Sequence, residues 1–145
     1  MSGSGPGRTA AVLRWAIGLV LLVTGAGKLL DVAGFAEVLR SYEALPGAWL
    51  MPAATTVAIA EVLLALWLFS GRRLVAASLA SATMHLAYAI WSAAALSRGL
   101  RLPNCGCFGV FLARPLTRQT VAEDLVMVAL SVVLFVSAQR VPEAS

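Results

Sequence analysis

Residues 74–96 read LVAASLASATMHLAYAIWSAAAL, a run of 23 residues without one charged side chain. Crossing the hydrocarbon core of a bilayer takes about 20 apolar residues in a helix, within a range of roughly 17–25. Only helices and closed barrels satisfy all of their backbone hydrogen bonds in lipid. This run therefore predicts a membrane-spanning helix.

Three further stretches of comparable length are also nearly free of charged residues: 12–30, 52–69 and 121–138. The whole chain of 145 residues is 60% hydrophobic and 12% charged, whereas an average soluble domain is about 45–50% apolar and about 25% charged. This composition excludes an ordinary soluble domain and a disordered chain. We predict an all-α polytopic membrane four-helix bundle, with one domain over 10–140 between a flexible tail at 1–9 and a second tail at 141–145.

The first apolar run has the basic N-terminal flank of a signal peptide. The apolar region of a signal peptide is usually about 7–15 residues long and is followed by a small-residue cleavage site. This run is longer and ends in Lys28-Leu29-Leu30-Asp31, which is a poor cleavage site. We therefore predict a helix that is retained.

The segment between the first two runs predicts a short amphipathic helix at the membrane surface. Its apolar residues recur at spacings of three and four, the period of a helix with one apolar face: Phe35, Val38, Leu39, Tyr42 and Leu45. Pro46-Gly47 ends the pattern. Two interpretations stay open, since this helix could be a simple connector or a lid over the loop that precedes the fourth run.

Basic residues indicate the orientation of the spans, because they favour cytoplasmic loops. Four spans place both termini on the same side as the turn that contains Arg72-Arg73, and the basic residues divide almost evenly between the two sides. The compact Arg72-Arg73 pair and the longer, mixed-charge loops opposite it favour cytoplasmic termini. We predict a multi-pass cell-membrane protein whose loop before the fourth run is extracytoplasmic.

The only two cysteines lie in that loop, in the sequence Pro103-Asn104-Cys105-Gly106-Cys107-Phe108-Gly109. A Cys-Gly-Cys sequence can close a small disulfide ring, because glycine supplies the backbone freedom. Strain in such a ring makes the disulfide easier to reduce, as in catalytic disulfides. Three arginines would favour the thiolate if they approach the sulfurs: Arg98, Arg101 and Arg114. We predict that Cys105 and Cys107 are a catalytic redox pair.

Two other interpretations of the cysteine pair stay open. Two thiolates suit a soft ion such as Cu(I), with His85 as a third ligand, although His85 lies near the middle of the third run and far from the loop. The pair could also be two small residues in a tight turn, or a structural disulfide that would constrain almost no chain. We therefore predict no metal site.

Lys28, Glu61 and His85 lie within the apolar runs, where each ionisable group is costly and marks a candidate functional position. Glu61 and His85 lie near the middle of their runs, so they could meet at mid-depth, whereas Lys28 lies closer to the cysteine side. We predict that these three residues bind a membrane quinone or form a proton path. Alternatively, a Glu61 neutralised by His85 or Lys28 holds the bundle in register.

Small and capping residues predict how the helices start and pack. Thr120-Val121-Ala122-Glu123 has the spacing of a capping box, which makes Glu123 structural. Gly18 and Gly25 in the first run, and alanine and serine residues four apart in the third, predict close approach between helices.

The order of these residues resembles the MauE/DoxX group of redox-associated membrane proteins, and is closest to the MauE (methylamine utilisation) branch. The resemblance spans residues 14–138. The Gly25-Ala26-Gly27-Lys28 end of the first run and Glu61 are shared broadly with DoxX-like proteins. The Cys-Gly-Cys-Phe-Gly sequence at 105–109 is the more specific MauE-like feature.

This resemblance implies a membrane protein that works with thiols or disulfides. The MauE family is implicated in maturing the disulfide-rich small subunit of methylamine dehydrogenase, alongside a thioredoxin-like protein. It implies that Cys105 and Cys107 are the redox pair and that Lys28 and Glu61 are family-typical polar positions in the membrane. Thiol–disulfide oxidoreductase is therefore the candidate activity, and a membrane quinone is our candidate cofactor. The expected partners are the lipid bilayer and a thioredoxin-like or disulfide-rich protein, without nucleic acid. The alternative is a non-enzymatic membrane assembly factor or a Cu(I)-binding module.

Overall fold

A computed structural model of the protein describes residues 6–140, which form five helices and no strand. The helices are α1 (Pro6–Leu30), α2 (Val32–Ser41), α3 (Gly47–Ser70), α4 (Leu74–Ser97) and α5 (Arg118–Gln139). Helices α1, α3, α4 and α5 are long and apolar enough to cross a membrane, and α2 is the short helix predicted between the first two spans. The predicted all-α membrane bundle is confirmed. Residues 1–5 and 141–145 of the two expected tails lie outside the described residues.

Three of the four spanning helices, α1, α3 and α5, begin before the apolar runs that predicted them, whereas α4 begins with its run at Leu74. Helix α1 begins at Pro6, a position where proline fits because the first helical N–H has no intrahelical partner. Helix α3 begins at Gly47, with Pro46 as its N-cap, and includes Pro52 in its interior. Hydrophobicity marks the part of a helix that lies in lipid, whereas the helix itself ends where its caps lie.

The start of α5 differs from the predicted capping box. Thr117 is the N-cap, and the hydroxyl of Thr120 accepts a hydrogen bond from the backbone N–H of Thr117 at 3.3 Å. Glu123 is not part of the cap, because its carboxylate instead accepts a hydrogen bond from Arg114 at 2.7 Å. The predicted capping box of Thr120 and Glu123 is therefore wrong. The observed box lies one turn earlier, because Thr117 and Thr120 form the two reciprocal hydrogen bonds.

The small residues pack the helices in two close pairs, α4 with α5 and α1 with α3. On α4, Ser81 is fully buried and its hydroxyl lies 2.8 Å from that of Ser131 on α5. On α1, Gly18 lies against Phe69 of α3, and Gly25 lies against the backbone and side chains near Glu61. The predicted close approach of helices is confirmed at Gly18, Gly25 and Ser81, whereas Ala76 and Ala80 of α4 border open space beside α3.

The two ends of the bundle differ. One end carries the termini, and the other end, the loop side, carries α2 and the loop before α5. An apolar core fills the terminal half, where Ile17, Leu68 and Leu134 are fully buried. At the loop side, α2 lays Phe35 and Ala36 against α3. Helix α2 therefore packs onto the bundle, and the space beneath it contains most of the polar residues of the interior.

Helices α3 and α4 are consecutive but contact each other little along their length. Their connection is a tight turn in which Gly71 has a φ of +68°. Each of these helices packs mainly against another neighbour, α3 against α1 and α4 against α5. A groove is therefore left between α3 and α4.

Candidate functional site

The cysteine loop forms a tight turn in which the two sulfurs meet. The Sγ atoms of Cys105 and Cys107 lie 2.8 Å apart, longer than the roughly 2.05 Å of a disulfide bond, so both cysteines are free thiols. Gly106 between them has a φ of +82°, in the left-handed region that favours glycine. The Asn104 side chain fixes the turn, since it accepts a hydrogen bond from Gly106 N at 2.9 Å and donates one to Gly109 O at 3.0 Å.

Helix α2 covers this loop. The Tyr42 hydroxyl at its C-terminal end donates a hydrogen bond to the Cys105 carbonyl oxygen at 2.7 Å. A Cβ atom on Gly106 would lie only 3.0 Å from Val38 and 3.1 Å from Phe35. The Arg98 guanidinium in turn donates to the Tyr42 carbonyl oxygen at 2.5 Å. Of the two interpretations of the amphipathic helix, this geometry favours a cover over the cysteine loop.

The other side of the loop packs against the end of α1 through glycine. A Cβ on Gly27 would lie 2.7 Å from the carbonyl oxygen of Phe108, and a Cβ on Gly109 would lie 2.6 Å from that of Gly27. Both contacts are with backbone atoms, which cannot turn away as a side chain can. The Gly-x-Gly-Lys end of α1 is thus the surface on which the cysteine loop rests.

We expect Gly27→Ala to destabilise the bundle and to displace the cysteine loop. The added methyl group has no space against Phe108, and overpacking of this kind costs roughly 1–3 kcal/mol. The measurement is thermal unfolding in detergent together with the alkylation rate of the cysteines, which should rise. Gly7→Ala in the same helix is the matched control, because nothing lies within 4 Å of its Cβ position. Equal behaviour of the two variants would contradict the close packing.

Lys28 and Glu61 form a buried ion pair directly behind the cysteine loop. Lys28 is 4% exposed and Glu61 is 1% exposed, and Lys28 Nζ lies 2.9 Å from each carboxylate oxygen. Tyr88 donates a further hydrogen bond to Glu61 Oε1 at 2.5 Å, and Lys28 also donates to the carbonyl oxygen of Cys107 at 2.8 Å. A buried pair is tolerable only when such additional partners satisfy it. The pair ties α1, α3 and α4 to the backbone of the reactive loop.

His85 does not pair with Glu61, contrary to the expected contact between them. Its Nδ1 lies 2.9 Å from the carbonyl oxygen of Ser81, one turn earlier in α4, while Lys28 and Tyr88 bind the carboxylate. The alternative in which Lys28 neutralises Glu61 is the one that the structure shows. Residue counts give the depth of a side chain in the membrane but not the side of the helix on which its partner lies.

All five predicted site residues nevertheless line one cavity of about 350 Å³ at the centre of the loop-side half of the bundle. Its wall includes Lys28, Glu61, His85, Tyr88, Cys105 and Cys107. His85 was expected to lie far from the cysteines, but the loop folds inward beneath α2, so both cysteines reach the cavity that His85 borders.

Two residues of the site, Tyr42 and Tyr88, were not predicted as site residues from the sequence. Tyr88 had a usable signal, because it lies three residues after His85, on the same face of the helix.

The two thiols differ in their affinity for a proton. A hydrogen bond from the Cys107 thiol lowers the pKa of Cys105 from 9.0 to about 6, with a further contribution from Arg114. The pKa of Cys107 is raised, because its proton is held in that bond and because it is buried. Of the three arginines expected to act on the pair, Arg114 lowers the Cys105 pKa, whereas Arg98 binds the end of α2. At neutral pH the pair is therefore a thiolate and a thiol.

The described residues 6–140 hold no group of three or more His, Cys, Asp or Glu side chains arranged to bind a metal ion. His85 borders the same cavity as the cysteines but does not complete a three-ligand set with them. The Cu(I) interpretation therefore has no third ligand of these types in this geometry.

Comparison with known proteins gives the family of the chain. The family described as "Methylamine utilisation protein MauE" matches residues 7–137. A protein from Paracoccus denitrificans, named "Methylamine utilization protein MauE", is 29% identical over 122 residues, and this alignment covers 84% of the present chain and 66% of that protein. No solved structure matches the chain. Since the family match extends over nearly the whole chain and all four spanning helices, the chain belongs to the MauE family.

Proposed function

We propose that this membrane protein exchanges disulfides through Cys105 and Cys107 with a thioredoxin-like or disulfide-rich protein. The observation that carries the proposal is the pairing of two free thiols 2.8 Å apart with opposite pKa shifts. The thiolate is the reactive form of cysteine, and a low pKa makes a cysteine both available as a nucleophile and a good leaving group. A pair with one stabilised thiolate is suited to thiol–disulfide exchange.

The exchange begins with the pair in its oxidised form. A thiolate of the partner attacks the Sγ atom of Cys107, the less buried of the two residues. A new S–S bond joins the partner to Cys107, the bond between the two cysteines breaks, and Cys105 leaves as the stabilised thiolate. A second thiolate of the partner then attacks the partner's bonded sulfur and releases Cys107, which takes up a proton. The partner has lost two electrons and gained a disulfide.

The surroundings of the loop support a protein as the partner. Phe111 and Leu112 follow the cysteines and are 60% and 59% exposed, so an apolar surface lies beside the reactive pair. The arginine pattern of the turns supports an extracytoplasmic position for this loop, where disulfides form and persist. The name of the Paracoccus denitrificans relative adds methylamine utilisation as the candidate pathway.

We expect the rate of cysteine alkylation by iodoacetamide to rise with pH around pH 6 and to level off above it. A thiol with an ordinary pKa would show this rise near pH 8.5, whereas Cys105 is deprotonated from about pH 6 upward. The measurement is the modified fraction of each cysteine, determined by mass spectrometry of protein in detergent. Arg114→Gln should move the rise to higher pH, because the neighbouring positive charge is lost.

Oxidation provides the decisive measurement for this proposal. Treatment with oxidised glutathione should convert the pair into an intramolecular disulfide, detected as the loss of two alkylatable thiols. Arg101→Gln is the control for Arg114→Gln, since Arg101 is an exposed arginine of the same loop. Two thiols that stay free and unreactive after oxidation would contradict the proposed function.

A further inference from the structure

We infer that the cavity beside the cysteines binds the ring of a membrane quinone, and that the groove between α3 and α4 holds its apolar tail. This inference rests on the proposed function, because a pair that donates disulfides must be reoxidised after each exchange. The chain has a single cysteine pair, so the electrons have no second pair to which they can pass. A two-electron acceptor must therefore reach Cys105 and Cys107 themselves.

The cavity has the size and the lining of a small-molecule site. Ligand sites are typically clefts of about 300–1,000 Å³, mostly apolar and with a few convergent polar groups. This cavity, of about 350 Å³, combines apolar side chains of α1, α2 and α3 with both cysteines, His85 and Tyr88. It is large enough for one ring system that lies against the sulfurs.

An apolar route connects this cavity with the lipid. A groove of about 660 Å³ runs between α3 and α4, where these helices contact each other little. Its walls are mostly small or apolar residues, among them Ala60, Ala76, Leu79 and Ala80. Three residues line both the groove and the cavity: Val57, Ala87 and Tyr88. A ligand with a polar ring and a long apolar tail matches this continuous shape, and membrane quinones have that structure.

His85 offers a hydrogen-bond acceptor to the reduced form of such a ring, the hydroquinone. Its Nδ1 lies 2.9 Å from a carbonyl oxygen, which can only accept, so Nδ1 carries a proton. In the neutral ring Nε2 is then an acceptor, and it makes no hydrogen bond with the described residues 6–140. Because those residues contain no buried side-chain nitrogen or oxygen without a partner, Nε2 faces open space, and His85 borders the cavity. A hydroquinone hydroxyl can donate to this nitrogen.

The electron transfer balances with the groups at the site. An S–S bond forms between Cys105 and Cys107, and the pair gives up two electrons together with the remaining proton of Cys107. The quinone takes up those two electrons and two protons, one from Cys107 and one from the aqueous side of the loop, and leaves as hydroquinone. The dithiol is oxidised and the quinone is reduced.

The test uses the full chain in detergent, reduced and freed of excess reductant, with decylubiquinone as the probe. We expect stoichiometric loss of the ultraviolet absorbance of the oxidised quinone, one quinone for each pair that becomes a disulfide. Ala87→Trp, which closes the junction between groove and cavity, should slow this reaction at least tenfold. Ala93→Trp is the matched control, an exposed alanine of the same helix that lines neither space. Thr83→Trp, which also blocks the groove, is the second variant if Ala87→Trp does not fold.

The possible outcomes distinguish failure of the quinone site from failure of the proposed function. If the unmodified protein reacts with oxidised glutathione but does not reduce decylubiquinone, the quinone site is wrong and the exchange function stands. If it reacts with neither, the proposed function fails first. Equal rates for Ala87→Trp and Ala93→Trp would also overturn the site. A change in oligomeric state of Ala87→Trp without any change in the rate would show that a second copy of the chain fills the groove instead.

Discussion

Cys105→Ser is expected to slow the reaction of the reduced protein with a disulfide reagent by about 30-fold or more at pH 7. Cys105 is mostly thiolate at this pH because its pKa is about 6, whereas a cysteine with an ordinary or raised pKa is only a few per cent thiolate. The remaining Cys107 is half-buried, and burial keeps its pKa raised. The rate is measured from the thiol released by the reagent.

Cys107→Ser should instead react quickly but stop halfway. In this direction Cys105 is the attacking thiolate and forms a mixed disulfide with the reagent, because a serine hydroxyl at position 107 can donate the hydrogen bond that stabilises the thiolate. No second sulfur remains to resolve that mixed disulfide, so the adduct persists and is detected by mass spectrometry. Cys107→Ala removes the donor as well, and its reaction should therefore require a higher pH than that of Cys107→Ser.

These two variants also test which cysteine holds the negative charge. If Cys105→Ser reacts as fast as the unmodified protein and Cys107→Ser does not react, the thiolate is Cys107 and the assignment is reversed. The double variant Cys105→Ser, Cys107→Ser supplies the background rate. No other cysteine occurs in the chain, so this background contains no competing thiol.

Glu61→Leu is expected to lower the free energy of unfolding by roughly 3–5 kcal/mol. Removing one partner of a buried ion pair leaves the other charge uncompensated, which costs about this amount. Lys28 would stay buried at 4% exposure with only the Cys107 carbonyl oxygen as a partner. The measurement is chemical unfolding in mixed micelles, followed by tryptophan fluorescence.

The combined variant Lys28→Met, Glu61→Leu should recover most of that loss, because replacing both charges with apolar groups removes the unpaired charge. Glu37→Ala is the matched control, since the Glu37–Arg40 pair is exposed by 66% and 60% and such pairs contribute about 0–1 kcal/mol. If the double variant were as unstable as Glu61→Leu, the pair would owe its importance to the bond from Lys28 to Cys107 rather than to charge balance.

Much of this architecture follows from local patterns. The four spans are visible because lipid requires about 20 apolar residues in each helix, and the run at 74–96 meets that requirement without a charged residue. Helix α2 is visible because its apolar residues repeat with the helical period. The cysteine pair stands out because two adjacent thiols around glycine have few structural uses.

The helix boundaries were harder to predict. Hydrophobicity indicates the membrane interior, but caps and turns end a helix, and several sequences can provide a cap. Thr117 and Thr120 form the start of α5 where Thr120 and Glu123 also had suitable spacing. The choice depended on Arg114, which binds Glu123 from outside the helix.

The contacts within the polar site depended on the tertiary structure. Lys28, Glu61, His85, Cys105 and Cys107 could each be selected from the sequence, because ionisable groups in lipid and paired thiols are costly or reactive. Their contacts could not be selected, since these depend on how each helix is rotated and on the inward fold of the loop beneath α2. Glu61 pairs with Lys28 because Gly25 lets α1 approach α3 closely at Glu61, and Tyr88 of α4 binds the same carboxylate. Side-chain packing determines that rotation, and residue counts along a helix axis carry no information about it.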